Sequence, residues 1–172
     1  EITRGIEIGK DKIQGKPLSS KDKIVFSGDE IDRYVPKDEA YISQEVAKAY
    51  AKDKNIFKSP KIMVRETGGK LIGCYDDKGI ITLRTVHNIQ ITNEAIDLKY
   101  VLALLNSRLL QKVFELCYKQ AGDVFPKIRI AQERQLPIPR ISFITPEKER
   151  KRLVEEFKGM YKKWMEKGLD DV

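Results

Sequence analysis

Residues 57–79, FKSPKIMVRETGGKLIGCYDDKG, crowd Lys58, Lys61, Arg65, Thr67 and Lys70 around a Gly-Gly turn. A hairpin requires apolar alternation and a turn; it does not require that many cations at its tip. Arg65 matters most, because the planar guanidinium fork pairs bidentately with a phosphate or with guanine O6 and N7. An ion pair to Glu66 or to a neighbouring strand is the alternative use. Arg84 lies in IITLRTVHNIQIT, on the polar parity of that stretch, where it can meet a phosphate or a base. Lys127 and Arg129 alternate with Ile128 and Ile130 in FPKIRI, which turns both cations to one side. The run EKERKRL at 147–153 reads as a solvated helix face.

Catalytic patterns are missing. There is no G-x-G-x-x-G or G-x-x-x-x-G-K-[ST] loop to cradle a phosphate, and no G-x-S-x-G elbow. His87 is the single histidine, and its parity with Ile89 and Ile91 predicts a half-buried structural side chain. Glu66 and Lys70 stand four apart across a turn, the wrong geometry for a metal-dependent nuclease. Asp76-Asp77 beside Gly79 reads as turn chemistry. One histidine and two cysteines cannot build a typical zinc site, so neither metal nor cofactor is expected.

The elements that must position these residues follow from periodicity. Two glycines four apart in EITRGIEIGKDKI suggest a bent strand or loop, and IDRYVPKDEAYIS reads as extended pieces broken at Pro36. Ser43 is placed to cap a helix carrying Val46, Ala47 and Tyr50 on one face. Ile62 and Val64 share one strand face, with Met63 and Arg65 on the other. TGGK turns the hairpin, LIGCY returns and DDKG turns again into the thirteen residues 80–92, where Ile81, Leu83, Thr85, His87, Ile89 and Ile91 share a face. Together these predict an antiparallel meander with one side buried and one wet. Leu98, Val101, Leu102, Leu105, Leu109, Val113, Phe114 and Cys117 make a helical stripe that Asn106-Ser107 can split in two. The segment QAGDVFPKIRIAQERQLPIPRI reads as loop and short strand. Thr145 and Pro146 then open a last helix striped by Leu153, Phe157, Met160, Tyr161 and Trp164.

The 172 residues suffice for one core without staples, and 41% hydrophobic with 34% charged residues describe an ordinary globular chain. No apolar run approaches the ~20 residues of a membrane span, and the N-terminus lacks a signal-peptide layout. The start at Glu1 suggests a piece of a longer chain. Cys74 and Cys117 read as reduced, buried thiols, and a cytoplasmic location is expected. The net charge is +7 and is unevenly spread. Residues 1–57 hold 11 basic and 11 acidic side chains, residues 58–118 hold 9 against 6, and residues 119–172 hold 13 against 9. The excess begins at the hairpin, which favours a polyanionic partner.

The order of the pieces resembles the TaqI-like C-terminal specificity domain, the target-recognition part of certain adenine-N6 DNA methyltransferases and fused restriction-modification enzymes. The resemblance rests on Gly5 and Gly9; on Pro60, Lys61, Ile62 and Arg65; on Thr85 and Ile89; on Leu104 to Ser107; and on Leu136 to Pro139. It covers about residues 1–140, and the helix beyond looks like the spacer helices of type I specificity subunits. It implies a module that reads double-stranded DNA for a methyltransferase catalytic domain in the parent chain or in a partner subunit. The Asn/Asp-Pro-Pro-Tyr/Phe motif and the S-adenosylmethionine loop of that catalytic part are absent from this sequence, so the chain itself is not expected to be an enzyme.

The expected fold is α+β: a mostly antiparallel twisted sheet, a central helix pair and a C-terminal spacer-type helix. Residues 1–142 are expected to recognise DNA and residues 143–172 to form an amphipathic helix that packs on the domain or on a partner. Strand parity and loop position nominate Arg4, Lys61, Arg65, Thr67, Lys70, Arg84, Lys127 and Arg129 as DNA contacts. The competing reading is a protein-interaction domain that self-associates through the last helix, with an incidental basic surface.

Overall fold

The computed structural model describes residues 1–93, 96–118, 126–139 and 147–166. Residues 1–138 form one compact unit and residues 139–172 a second. The first unit holds two sheets. Strands β1 (Ile2–Arg4), β4 (Lys61–Arg65), β5 (Gly73–Asp76) and β7 (Val86–Ile89) form an antiparallel sheet in the order β1-β7-β4-β5. Strands β2 (Lys23–Phe26), β3 (Ala40–Ile42) and β6 (Ile81–Thr82) form the other in the order β3-β2-β6, with β2 and β6 parallel. Helices are α1 (Gln44–Tyr50), α2 (Leu98–Leu105), α3 (Arg108–Tyr118), α4 (Ile130–Glu133) and, in the second unit, α5 (Glu147–Glu166). The architecture is α+β with mostly antiparallel sheets, as expected.

The hairpin forms as the alternation and Gly-Gly turn dictate, with Met63 opposite Cys74. Gly68 and Gly69 take φ of +98° and +63°, values that an L side chain rarely adopts. The long meander does not continue. Residues 83–85 turn, so 81–91 is not one strand: β6 joins the second sheet and β7 returns between β1 and β4. Nor has the sheet a wet side at its centre. All four β7 residues and the first four of β4 are buried. Ile62, Val64 and Ile89 pack with α2, α3, Ile128 and Leu136 on one side. Met63, Cys74 and Val86 pack with Phe26 and Ile31 on the other.

Double burial forces each polar side chain in these strands to find an internal partner. Lys61 and Asp76 are both fully buried and form an ion pair. The Lys61 ammonium also donates to the Phe57 and Ile80 carbonyls at 3.2 and 2.9 Å. Burial pushes the Lys61 ammonium below its ordinary range, against the pull of Asp76. Asp76 accepts from the Lys78 and Ile80 amides as well, so it organises the turn and anchors the lysine together. Asn88 and Thr82 pair through both side chains at 2.8 and 3.0 Å.

The Leu-Leu-Asn-Ser stretch has a clear physical purpose. Asn106 mimics a strand: its Oδ1 accepts from the Gly73 amide at 3.0 Å and its Nδ2 donates to the Gly73 carbonyl at 2.9 Å. Ser107 then caps α3 by accepting from the Leu110 amide. The break shifts the helical phase. Leu110 and Phe114 are buried, while Leu109 is 75% exposed and Cys117 is exposed, against the burial expected of both. Ser43 caps α1 through the Val46 amide, but only Ala47 of that helix is buried. Residues 130–133 are helix rather than strand or loop.

In the second unit, Leu153 and Val154 of α5 are half exposed. The Thr145-Pro146 start, and the side chains of Phe157, Met160, Tyr161 and Trp164, lie outside what is described. No helix among the described residues is long and apolar enough to cross a membrane.

Two measurements test this packing. Asn106→Ala leaves the buried Gly73 amide without an acceptor, while the Gly73 carbonyl keeps the Tyr34 amide, and should cost about 1–3 kcal/mol in urea unfolding. Burial raises the Cys74 thiol to about 12, so a thiol reagent should label one cysteine per native chain, Cys117, and two after denaturation.

Candidate nucleic-acid interface

One end of the β1-β7-β4-β5 sheet gathers most of the nominated residues. Arg4 ends β1 and Arg65 ends β4, opposite His87 and Val86 of the intervening β7. Thr67 and Lys70 stand in the hairpin turn, and Arg84 in the turn that leads into β7. The segment 126–129 joins this end through the backbone. The Ile128 amide donates to the Glu66 carbonyl at 2.7 Å, the Gly68 amide donates to the Pro126 carbonyl at 3.1 Å, and Thr67 bridges Lys127. Ile128 is fully buried, which leaves Lys127 and Arg129 exposed on either side of it. A Cβ on Gly69 would stand 2.7 Å from the Pro126 ring, so the turn must be glycine there for the two segments to meet.

Glu66 is the hub of this end and is 6% exposed. Its amide donates to the Thr85 carbonyl, its carbonyl takes the Ile128 amide, and its carboxylate holds Arg4 at 3.0 Å. Arg65 is therefore not the partner of Glu66. Its stem runs past Gly28 and its guanidinium past Gly68, each about a contact distance from where a Cβ would stand. Its Nε is buried and has no hydrogen-bond partner among the described residues. Gly28 is held in place by its amide, which donates to Thr85 Oγ1 at 2.9 Å.

The cations at this end differ in availability. Arg4 is committed to Glu66, and Arg84 pairs with Glu7 at 2.8 Å on the surface. Arg65, Lys70, Lys127 and Arg129 form no ion pair among the described residues. Lys61 is the correction: it lies at the opposite end of β4, fully buried on Asp76, and cannot reach a duplex.

Sequence reasoning missed the support beneath. His87 Nδ1 lies 2.9 Å from Glu133 Oε2, with both side chains in the interior. This pair ties α4, and hence Arg129 at its N-terminus, to the centre of the sheet. His87 Nε2 and Glu133 Oε1 have no partner among the described residues. A histidine and a glutamate 46 positions apart carry no local signal. The Gly28–Thr85 contact, across 57 positions, was equally silent. Among the described residues no group of three or more His, Cys, Asp or Glu could hold a metal ion.

His87→Leu strands the Glu133 carboxyl in the interior and should cost about 1–3 kcal/mol in urea unfolding. A second change, Glu133→Leu, should recover part of that loss, whereas an equal or greater loss would show that the pair is not the unit.

A family model, the TaqI-like C-terminal specificity domain, matches residues 23–138. The match spans both sheets except β1, so Arg4 falls before it and the other nominated residues fall within it. No curated protein matches the chain. The hairpin, the Asn106 break and the segment from Lys127 to Leu136 all lie inside the matched residues, and the chain belongs to the TaqI-like C-terminal specificity domain family, DNA-recognition domains of methyltransferase-type systems.

Proposed function

We propose that this domain reads a short DNA sequence and orients the duplex for adenine-N6 methyl transfer. The catalytic part lies outside this sequence, in the same polypeptide or in a partner subunit of a cytoplasmic restriction-modification system, type II in kind. The observation that carries this reading is the convergence of Arg65, Lys70, Lys127 and Arg129, unpaired, on one end of a rigid sheet. Lys70, Lys127 and Arg129 sit on exposed turns and serve as phosphate contacts, which set register without reading sequence. Arg65 is different. Its stem is packed and its Nε lacks a partner, so the fork is pre-oriented and loses little freedom on binding a base edge or phosphate. The Thr67 hydroxyl is a second reader beside it. Arg4 and Arg84, held by Glu66 and Glu7, shape the rim. The target adenine would be turned out of the duplex toward the catalytic part, because an enzyme that methylates the exocyclic N6 amine has to take the base out of the stack to reach it.

The test is selection from a randomised duplex pool at low salt, with the bound DNA sequenced. One enriched short motif supports readout; binding without any motif reduces the surface to an electrostatic one. Arg65→Ala should then cost about 1–3 kcal/mol and relax one position of the motif. Lys127→Ala should weaken binding equally for all sequences and reduce the slope of log K against log salt by about 0.9.

A further inference from the structure

The opposite end of β4 carries a second basic feature that the readout end does not use. A groove of about 740 Å³ opens there between α1 and the turn before β6. Its floor includes Ala47 and Phe57, and Lys23, Lys48, Lys52 and Lys78 stand around it. All four lysines are exposed and none forms an ion pair among the described residues. No lining residue is acidic. Of the carboxylates close in sequence, Asp76 is buried on Lys61 and Asp53 accepts from the Asn55 amide at 3.0 Å, while Glu45 and Asp77 are exposed outside the lining. The four lysines come from three separate parts of the chain, β2, the α1 end and the β5–β6 turn, so the concentration of charge is a product of folding.

We propose that this groove is a second phosphate-binding site, which takes the backbone of the duplex flanking the recognised sequence. The proposal rests on the DNA-recognition reading. Lysine suits this use, because a point charge on a flexible stem follows a phosphate without demanding a fixed geometry. From Lys61 to Arg65 β4 rises roughly 13 Å, less than half the ~34 Å of a B-form turn, so both ends of the strand fall within reach of one duplex. The groove therefore adds affinity and leaves base choice to the other end.

Lys48→Gln/Lys52→Gln tests the assignment in the intact chain, against a long duplex carrying the selected motif and a short one confined to it. Thermal unfolding should be unchanged, because both side chains are exposed. Removing two phosphate contacts should lower the salt slope on the long duplex by about 1.8, so the wild type loses about 10-fold more affinity than the variant between 50 and 200 mM salt. The short duplex should bind both proteins alike, and the selected motif should stay the same. An unchanged slope on the long duplex, with wild-type binding intact, overturns the groove alone. Absence of duplex binding by the wild type overturns the recognition reading and the groove with it.

Discussion

Strands β4 and β7 lie in the middle of a sheet that is covered on both sides, and the rest of the structure answers to that burial. A central strand with no wet face cannot leave a polar side chain unpaired without a penalty of a few kcal/mol. Lys61 therefore finds Asp76, Asn88 finds Thr82, and His87 finds Glu133. Each partner comes from a different element, so these contacts also define how the elements meet. Asp76 fixes the turn after β5, Thr82 fixes the crossing into the second sheet, and Glu133 fixes α4. The buried polar contacts are where the two sheets and the helices acquire a single arrangement.

The two ends of β4 illustrate how environment gives side chains of the same charge different roles. Lys61 and Arg65 are four residues apart on one strand, both cationic. At the first position the side chain is enclosed and meets Asp76 and two carbonyls, so its charge is spent inside. At the last position the strand emerges beside a glycine turn, and Gly28 and Gly68 leave a channel for the guanidinium. Glu66 next to it takes Arg4 rather than Arg65. One buried carboxylate thereby joins β1 to the hairpin while leaving the neighbouring guanidinium unneutralised.

The helix pair contributes through its interruption. A continuous helix from Leu98 to Tyr118 would carry its apolar stripe over Leu109 and Val113. Asn106 instead turns aside to close on Gly73 as a strand would, and α3 restarts with Leu110 and Phe114 inward. Gln111 extends the same device by accepting from the Leu71 amide at 2.8 Å. The outer edge of β5 is covered at Gly73 by the Asn106 amide and bridged at Cys74 by the Tyr34 backbone, which leaves less of it open to edge-to-edge association. The excess of apolar surface on α3, at Leu109 and Leu116, is the consequence of that phase shift.

The amino-acid sequence by itself determined the local pieces: the Gly-Gly hairpin, the Ser43 and Ser107 caps, the Asn106 break, and the accumulation of cations from residue 58 onward. Those features are written in neighbouring residues, where turn chemistry and side-chain periodicity act directly. The order of the motifs also carried the family, because it is a pattern along the chain. Only the tertiary structure decided which cations are available. Parity placed Lys61 beside Arg65, yet the packing encloses Lys61 completely and leaves Arg65 partly accessible at the strand end. It also ended the long alternating stretch at 83–85, because Thr82 and Asn88 pair across the turn and β6 leaves for another sheet. The Arg4–Glu66 and His87–Glu133 pairs join residues dozens of positions apart, and the four-lysine groove assembles three segments. Long-range contacts of this kind depend on how faces pack, which a local pattern does not encode.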